Sequence, residues 1–349
     1  MIKVLVVEDS PVVREFLVHV LGEDSDIRVV GTASDGEEAI EVVGRLQPDV
    51  ITMDIHMPKM DGLEATRRIM ETYPTPIVIV SGSTDPHDVA MTFRATEAGA
   101  VAVLRRPAGI GHPEHEATAR ELVQTVKLMS EVKVVRRWPR MRHEAAVARP
   151  VEAVLGRMPV KIGVVALGAS TGGPPVLQTI LAGLPRDFTA PVLIVQHMAS
   201  GFVQGFVEWL AQSSALPVQL ATHGETILPG HVYVAPDEFQ MKVERGGRIV
   251  LGREEPKNGL RPSVACLFRS VAESYGSDAV AGLLTGMGRD GAEELKLLRE
   301  KGAVTFAQDE ESCVVYGMPG EAAKLDAATL ILAPEKIAPV LASMVNNKK

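Results

Sequence analysis

Short runs of β-branched and aliphatic residues, interleaved with amphipathic stretches, dominate roughly the first 125 residues. "IKVLVV", "IRVVGTA", "DVITMD", "PIVIVS" and "AVAVL" are too short for buried helices and too uniformly apolar for strands with one wet face. They read as strands covered on both sides, the pattern of a parallel sheet. The intervening "PVVREFLVHVLG" repeats Val12, Val13, Phe16, Leu17, Val20 and Leu21 at helical spacing, with Pro11 suited to a first turn. Five such βα units predict a doubly wound, five-stranded parallel (βα)5 domain of the α/β class.

The chain has 349 residues, enough for more than one core. Its net charge of −8 is unevenly spread. Residues 1–126 hold 11 Lys+Arg against 21 Asp+Glu, a net of −10, whereas residues 127–158 hold 8 against 3, a net of +5. In that second stretch, "KVVRRWPRMRHEAAVARPVEAVLGRMP" is basic, punctuated by proline and poor in periodicity. It reads as a linker over 127–159, with room for one short helix. From residue 160 to 349 the alternation resumes in "KIGVVALGA", "APVLIVQHM", "HVYVAP", "DAVAGLLTG" and "AVTFAQ", with helices expected near 201–214, 262–275 and 291–301. "MKVERGGRIVL" reads as a hairpin around Gly246-Gly247. The second domain is therefore expected to be α/β, with a mainly parallel sheet and an antiparallel hairpin.

Several classes are disfavoured. Net negative charge argues against a nucleic-acid partner. No apolar stretch approaches the ~18 residues of a membrane span, so membrane insertion is not expected. The opening "MIKVLVVEDS" is too short in its apolar run for a signal peptide. Cys266 and Cys313, 47 positions apart, carry no zinc or disulfide spacing and fit a reducing, cytoplasmic setting.

In an open parallel sheet, ligands gather beyond the carboxyl ends of the strands. Glu8 and Asp9 end the first strand of the first domain and Asp54 ends the third, so three carboxylates converge. They would repel one another unless a hard cation binds, and Mg²⁺ with oxygen ligands is the natural candidate. A carboxylate there can also accept a phosphoryl group. Ser81 and Arg106, at the ends of the fourth and fifth strands, bring a hydroxyl and a cation to the same edge. Any one of these acids alone more often caps a helix; the set from four strand ends is what carries weight.

Residues 1–125 resemble the receiver domains of two-component response regulators through "VVEDS", "MDIHMPKMDG", "VSGST" and a basic residue before Pro107. The resemblance implies that Asp54 is phosphorylated by a histidine kinase. It also implies that Mg²⁺ is held by Glu8, Asp9, Asp54 and the backbone carbonyl of His56. Two positions depart from the family pattern: Arg106 stands where lysine is usual, and Val103 where an aromatic switch residue is usual.

The second domain opens with "VVALGASTGGPP", in which Gly168-Ala-Ser170-Thr-Gly172 fits a G-x-S-x-G strand–turn–helix elbow. A glycine-rich phosphate cradle is the alternative, but neither G-x-G-x-x-G nor a P-loop Lys-Ser/Thr is present. A nucleophilic serine needs a base and the base an orienting acid. His197 closes "APVLIVQHM" and Asp290 follows "DAVAGLLTGMGRDG", so each of the three residues sits just past a parallel-type strand. Their chain order, Ser, His, Asp, differs from that of α/β-hydrolases and implies a convergent triad. No Arg/Lys cluster stands out beside them in the sequence, which favours a neutral ester or amide as substrate.

"GASTGGPPVL", "VQHMASGF", "LPGHVYVAP", "RPSVACLFRSVA", "LLTGMGRDGA" and "ESCVVYGMP" together resemble the chemotaxis protein-glutamate methylesterase (CheB) family over almost the whole chain. The resemblance implies hydrolysis of glutamate γ-methyl esters on methylated chemoreceptors, with release of methanol, and deamidation of receptor glutamines, with no cofactor for the esterase reaction. It implies Ser170 as nucleophile, His197 as general base and acid, and Asp290 as orienting carboxylate. The backbone N–H of Met287 would help bind the oxyanion, with Thr171 beside the nucleophile. Ala265 stands where some members carry Asp. A receiver-coupled scaffold and a receiver-regulated esterase with another substrate are the competing readings. Methanol release from receptor membranes separates them.

Overall fold

Each of the five apolar runs of the first domain forms a strand, but only the three inner ones are covered on both sides as expected; the two edge strands are largely half-buried because each has a neighbour on one side only. In the computed structural model, which describes residues 1–82, 86–132, 134, 162–257 and 259–345, β1 (Ile2–Val7), β3 (Val50–Met53) and β4 (Ile77–Ser81) are almost wholly enclosed. With β2 (Ile27–Ala33) and β5 (Ala102–Arg105) they build one parallel sheet in the order β2-β1-β3-β4-β5. The connecting helices are α1 (Pro11–Gly22), α2 (Gly36–Leu46), α3 (Gly62–Thr72), α4 (Pro86–Ala98) and α5 (His115–Ser130).

Side-chain caps start two of these helices, α2 and α3. Asp35 caps α2 by accepting from the Glu38 N–H at 2.9 Å, and Asp61 caps α3 from the Glu64 N–H at 2.8 Å. Helix α5 runs four residues past 126, the limit that composition suggests for this domain. Lys127, on its last turn, reaches both Asp24 and Asp26, at 3.1 and 2.6 Å. The basic stretch expected as a linker lies, from residue 135 to 161, outside the described residues.

The chain divides into two units, Met1–His143 and Glu144–Lys349. The second holds a seven-stranded, wholly parallel sheet in the order β14-β13-β12-β6-β7-β9-β8. Its strands are β6 (Val164–Ala169), β7 (Val192–Gln196), β8 (Val218–Leu220), β9 (Val232–Val234), β12 (Ala279–Leu283), β13 (Val304–Gln308) and β14 (Leu330–Leu332). The antiparallel content is confined to a separate two-stranded hairpin, β10 (Gln240–Val243) with β11 (Ile249–Gly252). Gly246 and Gly247 both take positive φ, 90° and 78°, as the hairpin turn requires.

Helices α6 (Gly173–Gly183), α7 (Val203–Ser213), α8 (Val264–Ser274), α9 (Ala292–Glu300), α10 (Met318–Lys324) and α11 (Pro334–Val345) complete this unit. The second core packs Phe268, Leu267 and Val271 of α8 and Leu295 and Leu298 of α9 with the β6 and β12 side chains. No helix among the described residues is long and apolar enough to cross a membrane.

Both sheets start from an inner strand and build outward to either side. Chain direction therefore reverses beside β1 in the first sheet and beside β6 in the second, which opens a crevice at the carboxyl ends there. Glu8, Asp9, Asp54, Ser81, Arg106, Ser170, His197 and Asp290 lie at or past the carboxyl ends of strands.

Candidate functional site

In the first unit, Glu8 and Asp9 follow β1, Asp54 follows β3, Ser81 closes β4 and Arg106 follows β5. One carboxylate oxygen from each of Glu8, Asp9 and Asp54 lies within 4.8 Å of the others. Such proximity carries an electrostatic penalty. Burial first, then the charge of Asp54, pushes Glu8 from an ordinary 4.5 up to about 7. Burial also raises Asp54, opposed by a hydrogen bond from the Ile55 N–H and helped by the charge of Asp9.

Glu8 Oε2 is buried and makes no hydrogen bond; its nearest cationic group is Arg106 Nη1, at 4.0 Å. Arg106 is thus turned into the acidic cluster rather than out to solvent, its backbone N–H donating to the Ser81 carbonyl at 2.8 Å. An orphaned carboxylate oxygen among three acids is the donor set that a hard divalent cation completes, so these residues fit Mg²⁺. His56 stands two residues beyond Asp54, its carbonyl without an intramolecular partner among the described residues. Val103, at the aromatic switch position, packs instead against the domain core.

In the second unit the chain turns sharply after β6. Ser170 donates its backbone N–H to the Thr285 carbonyl at 3.0 Å, and its own carbonyl accepts from Gly173 N–H at 2.8 Å. The elbow needs glycine at two places. Gly172 has φ +77°, and a Cβ there would stand 2.5 Å from Val314 Cβ. A Cβ on Gly286, across the crevice, would lie 2.6 Å from Ser170 Cβ. The small residues therefore allow the serine to approach the chain leaving β12.

His197 lies one residue past the registered pair Ala169–Gln196, so its backbone adjoins Ser170. Its N–H donates to the Ala169 carbonyl at 2.9 Å. Gln196 fastens the two together: its Nε2 donates to the carbonyls of Ser170 at 2.9 Å and His197 at 2.7 Å. His197 Nε2 meets Asp290 Oδ2 at 3.0 Å, and both side chains are largely enclosed. With Nε2 committed to the carboxylate, Nδ1 is the ring nitrogen left for a proton transfer with Ser170. Among the described residues Ser170 Oγ makes no hydrogen bond, a looseness common in serine sites without substrate.

Asp290 is held at the amino end of α8. It accepts from Ser263 Oγ at 2.9 Å, Val264 N–H at 2.6 Å and Ala265 N–H at 3.3 Å. Burial alone would raise its pKa; the hydrogen bonds from His197, Ser263 and Val264 outweigh burial and hold the carboxyl below its usual range. Asp290 is therefore a carboxylate throughout the physiological range.

Met287 is exposed on the loop after β12, and its N–H has no intramolecular acceptor among the described residues. Thr171 adjoins Ser170, and its carbonyl accepts from Thr285 Oγ1 at 3.0 Å. Two cations do neighbour the site, Arg289 next to Asp290 in the chain and Lys257 brought there by the fold. Lys257 and Arg289 line a small polar hollow beside Asp290, but Glu293 and Glu294 line it too, and Lys257 pairs with Glu294 at 2.6 Å. With Asp290 the lining sets three carboxylates against two cations, so the hollow is not an anion trap. Both cysteines are held as thiols: burial, then the charge of Asp309, pushes Cys313 up to about 12, and burial raises Cys266.

Sequence reasoning passed over Gln196, Ser263, Thr285 and Gln308. Each works through a long-range hydrogen bond, such as Thr285 N–H to Gln308 Oε1 at 2.8 Å. Gln196 and Ser263 did lie within the family-like segments, but nothing local marks their roles.

Comparison with known proteins agrees with both halves. The CheB methylesterase family model matches residues 165–341 and the response regulator receiver domain model residues 4–112. A protein-glutamate methylesterase/protein-glutamine glutaminase from Nitrosospira multiformis is 64% identical over 345 residues, covering 99% of this chain and 97% of that protein. One from Geobacter metallireducens is 60% identical, with full coverage of both chains. The crystal structure of the Thermotoga maritima CheB methylesterase catalytic domain is 36% identical, with a TM-score of 0.52, and covers 53% of this chain and all of that one. A five-stranded receiver followed by a seven-stranded sheet with a serine elbow, matched along its length by such relatives, belongs to the CheB methylesterase family.

Proposed function

We propose that the chain is a phosphorylation-regulated serine hydrolase that converts glutamate γ-methyl esters on chemoreceptors to glutamate and methanol, and deamidates receptor glutamines. The observation that carries the reading is the 3.0 Å bond from His197 Nε2 to a carboxylate held by three further donors, beside a serine on a tight turn with glycine at its left-handed position.

Ser170 Oγ attacks the ester carbonyl while His197 Nδ1 takes its proton. Asp290 fixes the ring and stabilises the imidazolium. The Met287 N–H receives the developing oxyanion, with Thr171 beside the nucleophile. His197 then gives its proton to the departing methoxide, which leaves as methanol. Water, deprotonated by the same ring, hydrolyses the acyl-serine to glutamate. With a glutamine substrate, ammonia leaves in place of methanol. The lack of net positive charge in the hollow lined by Asp290 suits a neutral ester or amide.

In the receiver, Asp54 is the phosphoryl acceptor and a chemotaxis histidine kinase the donor. Glu8, Asp9, Asp54 and the His56 carbonyl would hold Mg²⁺, which neutralises charge during the transfer when bound. Ser81 and Arg106 then face the phosphoryl oxygens. The partners are methylated receptors and the kinase, met in the cytoplasm, with neither nucleic acid nor direct insertion into the membrane.

Methanol release from methylated receptor membranes tests the esterase, and radiolabel transfer from phosphorylated kinase tests the receiver. Release by the wild-type chain and its loss in His197→Ala is expected, as is the loss of label in Asp54→Asn. Methanol release that survives in His197→Ala would overturn the assignment of the base.

A further inference from the structure

Ser263 occupies the N-cap position of α8 yet does not cap it: no cap hydrogen bond comes from its side chain. Serine at this position ordinarily accepts from a backbone N–H of the first turn. Here the roles are exchanged. The Asp290 carboxylate takes the first-turn N–H groups of Val264 and Ala265, and the Ser263 hydroxyl donates to the same carboxylate at 2.9 Å. Ser263 is itself wholly buried and pinned. Its backbone N–H donates to Gln240 Oε1 at 2.8 Å, and Gln240 Nε2 donates to the Leu260 carbonyl at 3.0 Å. Gln240 opens strand β10 of the hairpin that stands outside the main sheet, so that hairpin is tied through Ser263 to the acid of the triad.

We propose that Ser263 is a positioning residue of the esterase, setting through Asp290 both the orientation of the His197 ring and the pH at which it works. The proposal rests on the triad reading given above. A helix cap alone would not need a side-chain donor on a carboxylate that already holds two backbone N–H groups. That extra donor withdraws charge from Asp290 and fixes the plane of its carboxylate, so that one oxygen faces His197 Nε2.

Other charged groups face this carboxylate and are unchanged by altering Ser263. Arg289 precedes it in the chain, Lys257 and Glu294 are paired beside it, and Glu293 lines the same hollow. Cys266, whose thiol lies by the Ser263 hydroxyl, is raised by burial and stays neutral. With the Ser263 donor removed, Asp290 carries more charge toward the ring and stabilises the imidazolium more. The acidic limb of the rate profile then moves to higher pH.

The test uses the full chain and methanol release from methylated receptor membranes. Ser263→Ala should lower kcat by roughly tenfold with KM within about twofold, and shift the acidic limb of kcat upward by about half a pH unit. Ser263→Thr, which keeps the hydroxyl, should restore the limb. If Ser263→Ala does not fold, Ser263→Gly keeps a good N-cap residue without the hydroxyl and should show the same shift. A kcat within twofold of wild type and an unmoved limb in the hydroxyl-free variant that folds would overturn the proposal. Ser170→Ala run alongside separates the two levels. An inactive Ser170→Ala beside an unaffected Ser263 variant sinks only this proposal, whereas an active Ser170→Ala sinks the triad itself.

Discussion

The two carboxyl-end crevices of this chain solve opposite problems with the same acid chemistry. Around Asp290 every buried donor and acceptor of the carboxylate is matched within the protein, and the carboxyl is held below its usual range. Around Asp54 the acids face one another, Glu8 keeps an orphaned oxygen, and Glu8 is driven up to about 7. A triad must be preorganised before substrate arrives, since reorganisation during the reaction would raise the barrier. A phosphoryl-acceptor site gains from being unsettled, because it can then respond strongly to an added cation or charge. The acid of the esterase crevice is fully partnered in the bare chain, although among the described residues Gln196 Oε1 and Ser170 Oγ beside it are not; the acids of the receiver crevice are finished only by what binds.

The largest expected effect breaks the esterase site. Ser170→Ala should reduce methanol release by roughly 10³-fold or more, and His197→Ala by a similar factor. Because the residues act as a unit, the double variant should lose little beyond either single one. Additive losses on a logarithmic scale, measured with folded proteins, would mean that Ser170 and His197 serve separate steps.

How much of this contrast can be read in the sequence follows from the range of the interactions. Strand cores such as "IKVLVV" and "VVALGA" announce themselves because burial on both faces demands an unbroken apolar run. The strand-end residues Ser170, His197, Asp290, Glu8, Asp54 and Arg106 could be named because topology sends carboxyl ends to one edge. The edge strands β8 and β14, three residues each, are too short for any periodicity to declare them. Helix α6 hides behind Pro174-Pro175 although proline is at home in a first turn, and α11 carries Pro339 inside it. Least legible is the support of Asp290. Gln240 lies 23 residues from Ser263, and Ser263 lies 27 from Asp290. No local rule relates such positions before the fold has closed.

The next effect concerns the unfinished site. An acid whose folded pKa is raised is less ionised in the folded state than in the unfolded one. Below about 4.5 Glu8 is neutral in both states and exerts no effect. As pH climbs from there toward 7 the unfolded chain sheds the proton first, so the metal-free receiver loses stability, by at most about 3 kcal/mol. Hydrogen exchange of the β1 and β3 amides in the full chain should report this as falling protection between those limits. Millimolar Mg²⁺ at pH 7.5 should restore it, and Glu8→Gln should flatten the pH dependence. Protection that rises with pH over that window would show that Glu8 is not the strained acid.

The smallest effect tests how the receiver's cation is seated. Arg106 crosses directly over Gly82, where a Cβ would come within 1.9 Å of its Nη2 and 2.4 Å of its Cζ. Both are at the far end of a flexible side chain, so Gly82→Ala should displace the guanidinium rather than unfold the strand end. A planar fork needs that gap, whereas a lysine ammonium is compact and carries no fork to collide. Arg106→Ala should therefore lose most of the gain in esterase rate on Asp54 phosphorylation, and Arg106→Lys should keep most of it. Gly82→Ala alone should reduce the gain by about threefold, yet add no further loss in the Arg106→Lys background, a coupling that a double-mutant cycle reads directly. Equal losses from Gly82→Ala in both backgrounds would mean that the glycine serves the β4 end itself. Full activation of Arg106→Ala would remove Arg106 from the site and leave Ser81 and the bound cation to meet the phosphoryl group.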